Sequence, residues 1–130
     1  MEKLFVILLD ANYLIRMLVE GTPEAKSVDG WIDGGIELCT SAIAFYEFLS
    51  GPVDPVGIEV VRRTIHGRVL PFGNPEAVEA TRLFNAAGRR RSLRVDTMIA
   101  GTAILAKAEL ATENREDFAR FVSLGLRLIT

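Results

Sequence analysis

Leu4-Phe5-Val6-Ile7-Leu8-Leu9 is an unbroken apolar run that stops at Asp10. A strand with one wet face alternates apolar and polar residues. A run with no polar member suits a strand buried on both faces, and such strands belong to parallel sheets covered by helices on each side. Six residues are too few to span a membrane. A polar side chain directly after a buried strand falls at the carboxyl edge of the sheet, where open α/β sheets bind their ligands. Asp10 is therefore the first candidate functional residue.

The remainder of the chain alternates helical and strand patterns. Asn12–Glu20 has apolar residues at helical spacing and stops at Gly21. Thr22-Pro23-Glu24 is a cap, a first-position proline and a first-turn acid, opening a helix that runs to Gly34-Gly35. Ile36–Thr40 reads as a second strand, and Ser41 caps a helix over Ala42–Leu49. Asp54-Pro55 opens a helix to Ile65, followed by a short strand at Arg68-Val69-Leu70. Asn74-Pro75-Glu76 starts a helix to Gly88, and Asp96–Ala108 is an alanine-rich helix. Glu109–Thr112, Glu116–Val122 and Leu126–Ile129 complete the series as strand, helix and strand. This pattern predicts one α/β domain over residues 1–130, a three-layer structure with a mainly parallel central sheet of four to five strands.

Rare residues limit the chemistry. Cys39 and His66 are the only residues of their types, so one chain cannot form a disulfide, a Cys/His zinc site or a CxxC redox pair. His66 falls at a predicted helix end and reads as a surface residue, and Cys39 falls in an apolar run and reads as core. With an unpaired cysteine and no export signal after Met1, the expected compartment is the cytoplasm. Catalysis in this chain would rest on carboxylates.

Four acids fall near the expected carboxyl edge. Asp10 follows the first strand. Glu47 shares a helix face with Ile43 and Ala44, which suggests partial burial. Asp96 opens the alanine-rich helix, and Asp117 follows the fourth strand. Singly, Asp10 and Asp96 read equally well as helix caps or first-turn acids, and Asp117 as a solvated loop acid. Together, with no His or Lys nearby, they imply a bound cation or raised pKa values, because unit charges about 4 Å apart repel by ~4 kcal/mol at an effective dielectric near 20. All-oxygen ligands favour Mg2+ or Mn2+ over zinc. Such an ion activates water and neutralises a phosphodiester.

Charge distribution suggests the substrate. Residues 1–60 hold 3 basic and 10 acidic groups, whereas residues 61–130 hold 12 and 7. Arg89, Arg90, Arg91 and Arg94 lie immediately before Asp96. Guanidinium groups suit phosphates through their planar fork of donors, although cations also favour a helix C-terminus.

These residues carry a family resemblance. Leu8-Leu9-Asp10-Ala11-Asn12-Tyr13-Leu14-Ile15, Ser41-Ala42-Ile43-Ala44-Phe45-Tyr46-Glu47-Phe48, Val95-Asp96-Thr97-Met98-Ile99-Ala100 and Leu110-Ala111-Thr112-Glu113-Asn114-Arg115-Glu116-Asp117-Phe118 resemble, in order and separation, the motifs of PIN-domain ribonucleases. The closest likeness is to VapC-type toxins of toxin–antitoxin pairs. The resemblance implies a PIN-like fold and a Mg2+- or Mn2+-dependent endoribonuclease acting on structured RNA such as transfer or ribosomal RNA. It also implies a homodimer inhibited by a small VapB-like antitoxin. By position it makes Asp10 and Asp96 the principal metal ligands. Glu47 becomes the third acid and Asp117 the fourth, although some members carry that carboxylate where Asn114 stands here. Asn12 and Thr112 correspond to supporting polar residues. Ala11 departs from the hydroxyl residue common in the family, and Arg91-Ser92-Leu93-Arg94-Val95 is poorer in glycine than usual.

Other folds with strand-end aspartates fit less well. A haloacid-dehalogenase-like phosphatase needs an aspartate where Asn12 stands, and a receiver domain needs one after a middle strand that here ends in Cys39-Thr40. The remaining alternative is a PIN-like module that binds RNA or protein without cleaving.

Overall fold

The computed structural model describes residues 6–129. The first strand, β1 (Val6–Leu9), carries the apolar run on to Leu9, and Leu4 and Phe5 lie outside the described residues. The other strands are β2 (Glu37–Ser41), β3 (Val69–Leu70), β4 (Glu109–Ala111) and β5 (Arg127–Leu128). They form a five-stranded sheet in the order β3-β2-β1-β4-β5, and every pairing is parallel. The strand β1 is thus central. Its side chains alternate between layers: Ile7 and Leu9 pack into one apolar cluster with Leu14, Phe45 and Phe48, and Leu8 into another with Ile99, Leu110 and Phe118. Both faces are buried, which explains the absence of a polar residue in the run.

The helices are α1 (Ala11–Arg16), α2 (Pro23–Asp33), α3 (Ala42–Leu49), α4 (Pro55–Thr64), α5 (Asn74–Ala86), α6 (Arg94–Ala106) and α7 (Arg115–Ala119). Three caps stand where the sequence puts them: Thr22 accepts from the Ala25 amide at 3.0 Å, Ser41 from Ala44 at 3.0 Å and Asp54 from Gly57 at 2.7 Å.

Several boundaries differ. α1 ends at Arg16 rather than Glu20, because the Thr22 hydroxyl donates to the carbonyls of Arg16 and Val19 and draws the chain into a turn. α5 is preceded by Gly73 rather than capped by Asn74, since Glu76 reaches back to accept the Gly73 amide at 2.8 Å. α6 begins two residues before Asp96 and ends at Ala106, where Lys107 turns left-handed at φ 55°. α7 stops at Ala119 and gives way to a 3-10 turn over Val122–Leu124.

Gly101 lies inside α6, where glycine costs about 1 kcal/mol relative to alanine. Its role is steric: a Cβ there would lie 3.1 Å from the Ala80 nitrogen and 3.3 Å from the Ala80 Cα of α5. The missing side chain lets the two helices meet backbone to backbone over Leu83 and Ala100, both fully buried.

Cys39 is buried, and loss of hydration pushes its thiol pKa up to about 12. His66 is exposed just past α4, at φ 52°. Among the described residues no helix is long and apolar enough to cross a membrane.

Candidate active site

In the strand order, β1 is followed on one side by β2 and β3 and on the other by β4 and β5. The direction of winding reverses between β1 and β4, and at such a reversal open α/β sheets bind ligands beyond the carboxyl edge. Asp10 leaves β1 at that point. Its amide still donates to the Ala111 carbonyl at 3.0 Å, so the backbone is held by the sheet up to the functional residue itself.

The Asp10 carboxyl is 4% exposed and held from several directions. The Ala11 amide donates to Oδ1 at 2.8 Å, capping α1, and the Thr112 hydroxyl donates to Oδ2 at 2.6 Å. Asn12 Nδ2 lies 3.5 Å from both Asp10 Oδ2 and the Thr112 hydroxyl, while Asn12 Oδ1 accepts the Glu113 amide at 3.1 Å. Asp10 is therefore both a helix cap and a member of the strand-end cluster. Burial raises its pKa, opposed by the hydrogen bonds from Thr112 and Ala11.

The other acids meet it from separate helices. Asp96, in the first turn of α6, has its pKa raised to about 6, first by loss of hydration and then by the charges of Asp10 and Asp117. Glu47 on α3 is raised by loss of hydration and by Asp10 and Asp96. It is exposed rather than partly buried as its sequence face suggests. The buried stripe of α3 is Ala44, Phe45 and Phe48, and Glu47 stands roughly 100° from its centre, on the border with solvent. Asp117 on α7 is also exposed, yet its charge reaches Asp96. All four predicted acids thus share one electrostatic neighbourhood.

The supporting residues divide. Asn12 and Thr112 join the Asp10 network. Asn114 contributes its backbone, whose amide donates to the Thr112 hydroxyl at 3.0 Å, and its exposed side chain makes no cap bond to α7.

Two features escaped the sequence reading. Arg120 lies 3.9 Å from Asp117 and partly offsets the negative field at Asp96, a pairing encoded in its i,i+3 spacing. Arg16 Nε lies 3.3 Å from both Glu24 and Glu113, tying α2 to the loop that carries Thr112. No sequence pattern links those three residues.

The arginine cluster does not act as one unit. Arg90 and Arg91 are exposed at the approach to α6. Arg89 and Arg94 instead cover the Phe84 ring, at 5.4 and 5.7 Å from its centroid. Arg94 is two residues from Asp96, about 200° around the helix, so adjacency in sequence does not aim its side chain at the carboxylates. Among the described residues none of the four makes an ion pair with an acid.

The chain matches the family model described as PIN domain over residues 7–123. No curated protein matches it significantly. Among solved structures it is similar to FitAcB from Neisseria gonorrhoeae (22% identity, TM-score 0.68, covering 95% of this chain and 96% of that one). It is also similar to VapBC2 from Rickettsia felis bound to a promoter DNA fragment (17%, 0.70, 96% and 98%). A third likeness is to VapBC-1 from nontypeable Haemophilus influenzae (18%, 0.72, 96% and 97%).

Proposed function

The chain belongs to the PIN-domain family, and on that premise we propose that it is a VapC-like toxin, an endoribonuclease that hydrolyses RNA phosphodiester bonds with Mg2+ or Mn2+. The observation that carries this reading is the convergence on buried Asp10, at the strand-order reversal, of Glu47 and Asp96, whose pKa values are raised by lost hydration and then by the Asp10 charge. A carboxylate whose charge raises its neighbours' pKa stores repulsion that a cation relieves.

The donor set fits such an ion. It is all oxygen, and it contains the buried, hydrogen-bonded carboxylate of Asp10. Among the described residues no three acidic, His or Cys side chains are placed to hold an ion by themselves. Mg2+ binds through one or two carboxylates and retains water and phosphate oxygens. Asp10 and Asp96 would hold the ion, which when bound lowers the pKa of water and neutralises phosphate charge. Thr112 and Asn12 keep Asp10 oriented. Glu47, exposed and raised in pKa, orients the attacking water and accepts its proton. Asp117 completes the acidic rim, and Arg120 restrains it. Arg90 and Arg91 supply free cations to the RNA backbone, with Arg89 and Arg94 beside them.

The test is cleavage of transfer and ribosomal RNA by the purified chain with Mg2+ or Mn2+, alongside chelator, Asp10→Asn and Asp96→Asn. Loss of cleavage in all three controls is expected. A wild-type chain that cleaves no RNA would leave a non-cleaving RNA- or protein-binding module, and variants that cleave normally would refute the roles given to Asp10 and Asp96.

We include in this reading a VapB-like antitoxin, a homodimer and a cytoplasmic setting. Support for a protein partner comes from an apolar groove of about 490 Å3 between α1, α3 and α4, bordered by exposed Ile15, Val19, Val56 and Val60. VapBC is a family of toxin–antitoxin systems, and VapBC structures are among the neighbours.

A further inference from the structure

Phe84 stands at the mouth of a second cavity, of about 370 Å3, between α5 and α6. Phe72, Ala80 and Met98 give it an apolar lining, and Arg89 and Arg94 border it. Both guanidinium groups rest on the Phe84 ring, and neither meets a carboxylate among the described residues. Two like charges gathered at one ring without an anion repel each other. Two exposed cations without an acid partner among the described residues thus stand beside an apolar space.

Backbone geometry points the same way. Arg89 adopts φ 60°, a left-handed conformation that glycine or asparagine takes at lower cost. The turn is closed by the Arg89 amide donating to the Phe84 carbonyl at 2.9 Å, and the guanidinium donates to Asn85 Oδ1. The strained position thus carries a long cationic side chain folded back over the ring. Strain held at one residue points to a use for that side chain.

We propose that Phe84, Arg89 and Arg94 form a cradle for one unpaired RNA nucleotide, its phosphate between the guanidinium groups and its base against the apolar cavity and a guanidinium plane. The cradle rests on the nuclease reading for its substrate. It lies on the side of α6 away from Asp96, so the nucleotide it holds is not the one at the scissile bond. A paired base, stacked inside a duplex, cannot enter the cavity. The cradle therefore selects single-stranded segments, whereas Arg90 and Arg91 act on backbone charge in either form.

The test is equilibrium binding in the Asp96→Asn background, using labelled oligouridylate alone and the same strand annealed to oligoadenylate. Phe84→Leu keeps every charge but removes the ring that seats both guanidinium groups, and is expected to weaken single-strand binding at least about fivefold, the scale of one lost cation–π contact, with an unchanged salt slope. Arg89→Gly relieves the strained φ, so its Tm should equal or exceed its parent's. Its single-strand affinity should fall and its salt slope shrink by about 0.7. Duplex affinity should hold for Phe84→Leu. Folded variants that bind the single strand within about twofold of the parent overturn the proposal, as does equal weakening of strand and duplex. Binding is read without cleavage, so failure of the nuclease reading appears separately, in wild-type chain that leaves RNA intact.

Discussion

Replacing Asp96 with asparagine should make the ion-free protein more stable. The folded chain holds this carboxyl at a pKa of about 6 against an ordinary 3.8, chiefly through lost hydration and the charges of Asp10 and Asp117. A shift of roughly two units corresponds to about 3 kcal/mol of penalty on the ionised form at neutral pH. Solvent screening of this half-exposed group brings that to about 1.5 kcal/mol. The asparagine also forfeits a first-turn anion at the α6 N-terminus, worth about 0.5 kcal/mol. The net gain is about 1 kcal/mol, or roughly 4 °C in Tm for a chain this size.

The sign has a pH signature. A carboxyl whose folded pKa lies above its unfolded value makes the folded state the stronger proton binder, so stability rises as pH falls from about 6 towards 3.8. Above that window the penalty is fully present. Thermal unfolding in chelator at pH 7.5 and pH 4.5 reads both effects: Asp96→Asn melts higher at pH 7.5, and the gap narrows at pH 4.5. Added Mn2+ should raise the wild-type Tm and move the variant much less. Refutation would come from an asparagine variant that melts at or below wild type in chelator at pH 7.5, or from equal Mn2+ stabilisation of both proteins.

Two other substitutions probe the scaffold. Thr112→Val removes the hydroxyl that donates to Asp10 Oδ2 and strands the Asn114 amide. It should cost about 2 kcal/mol of stability, raise the Mn2+ concentration needed for cleavage and move the acidic limb of the pH profile upward, with Thr112→Ser restoring all three. Gly101→Ala should lose about 1–2 kcal/mol, read as a lower urea midpoint at constant m, because overpacking against Ala80 outweighs the better helix propensity; a stabilised variant would refute the close-contact reading.

The layers were legible because burial on both faces leaves a mark in one short segment. Leu8 packs on one side and Ile7 and Leu9 on the other, so β1 could carry no polar residue. Helix starts were equally local, since Thr22, Ser41 and Asp54 each bond to an amide three residues away. Strand order was less accessible, because it depends on pairings between distant segments. The Thr112–Asp10 bond joins residues 102 apart in sequence, and only the placement of β4 beside β1 creates it. Sequence adjacency misled at Arg94, which lies two residues from Asp96 but covers Phe84. A helix separates near neighbours by about 100° per residue, so a cluster in sequence need not be a cluster in space.

The site's acids differ in how firmly they are held, and that difference bears on how an open carboxylate edge could work. Asp10 is fixed by the sheet backbone, the Ala11 amide and the Thr112 hydroxyl. Glu47 and Asp117 are exposed on helices of 8 and 5 residues, with no comparable anchoring of the carboxyl. Were all four buried and rigid, their repulsion would demand protonation or unfolding before an ion arrived. With one firmly held member and exposed companions, the ion-free protein tolerates the charge by spreading it into solvent. A cation that settles against Asp10 can then draw the other carboxyls in through side-chain rotation alone. The fold places its strongest constraint on the residue that, in the proposed function, sets the ion's position, leaving adjustment to those proposed to meet water and substrate.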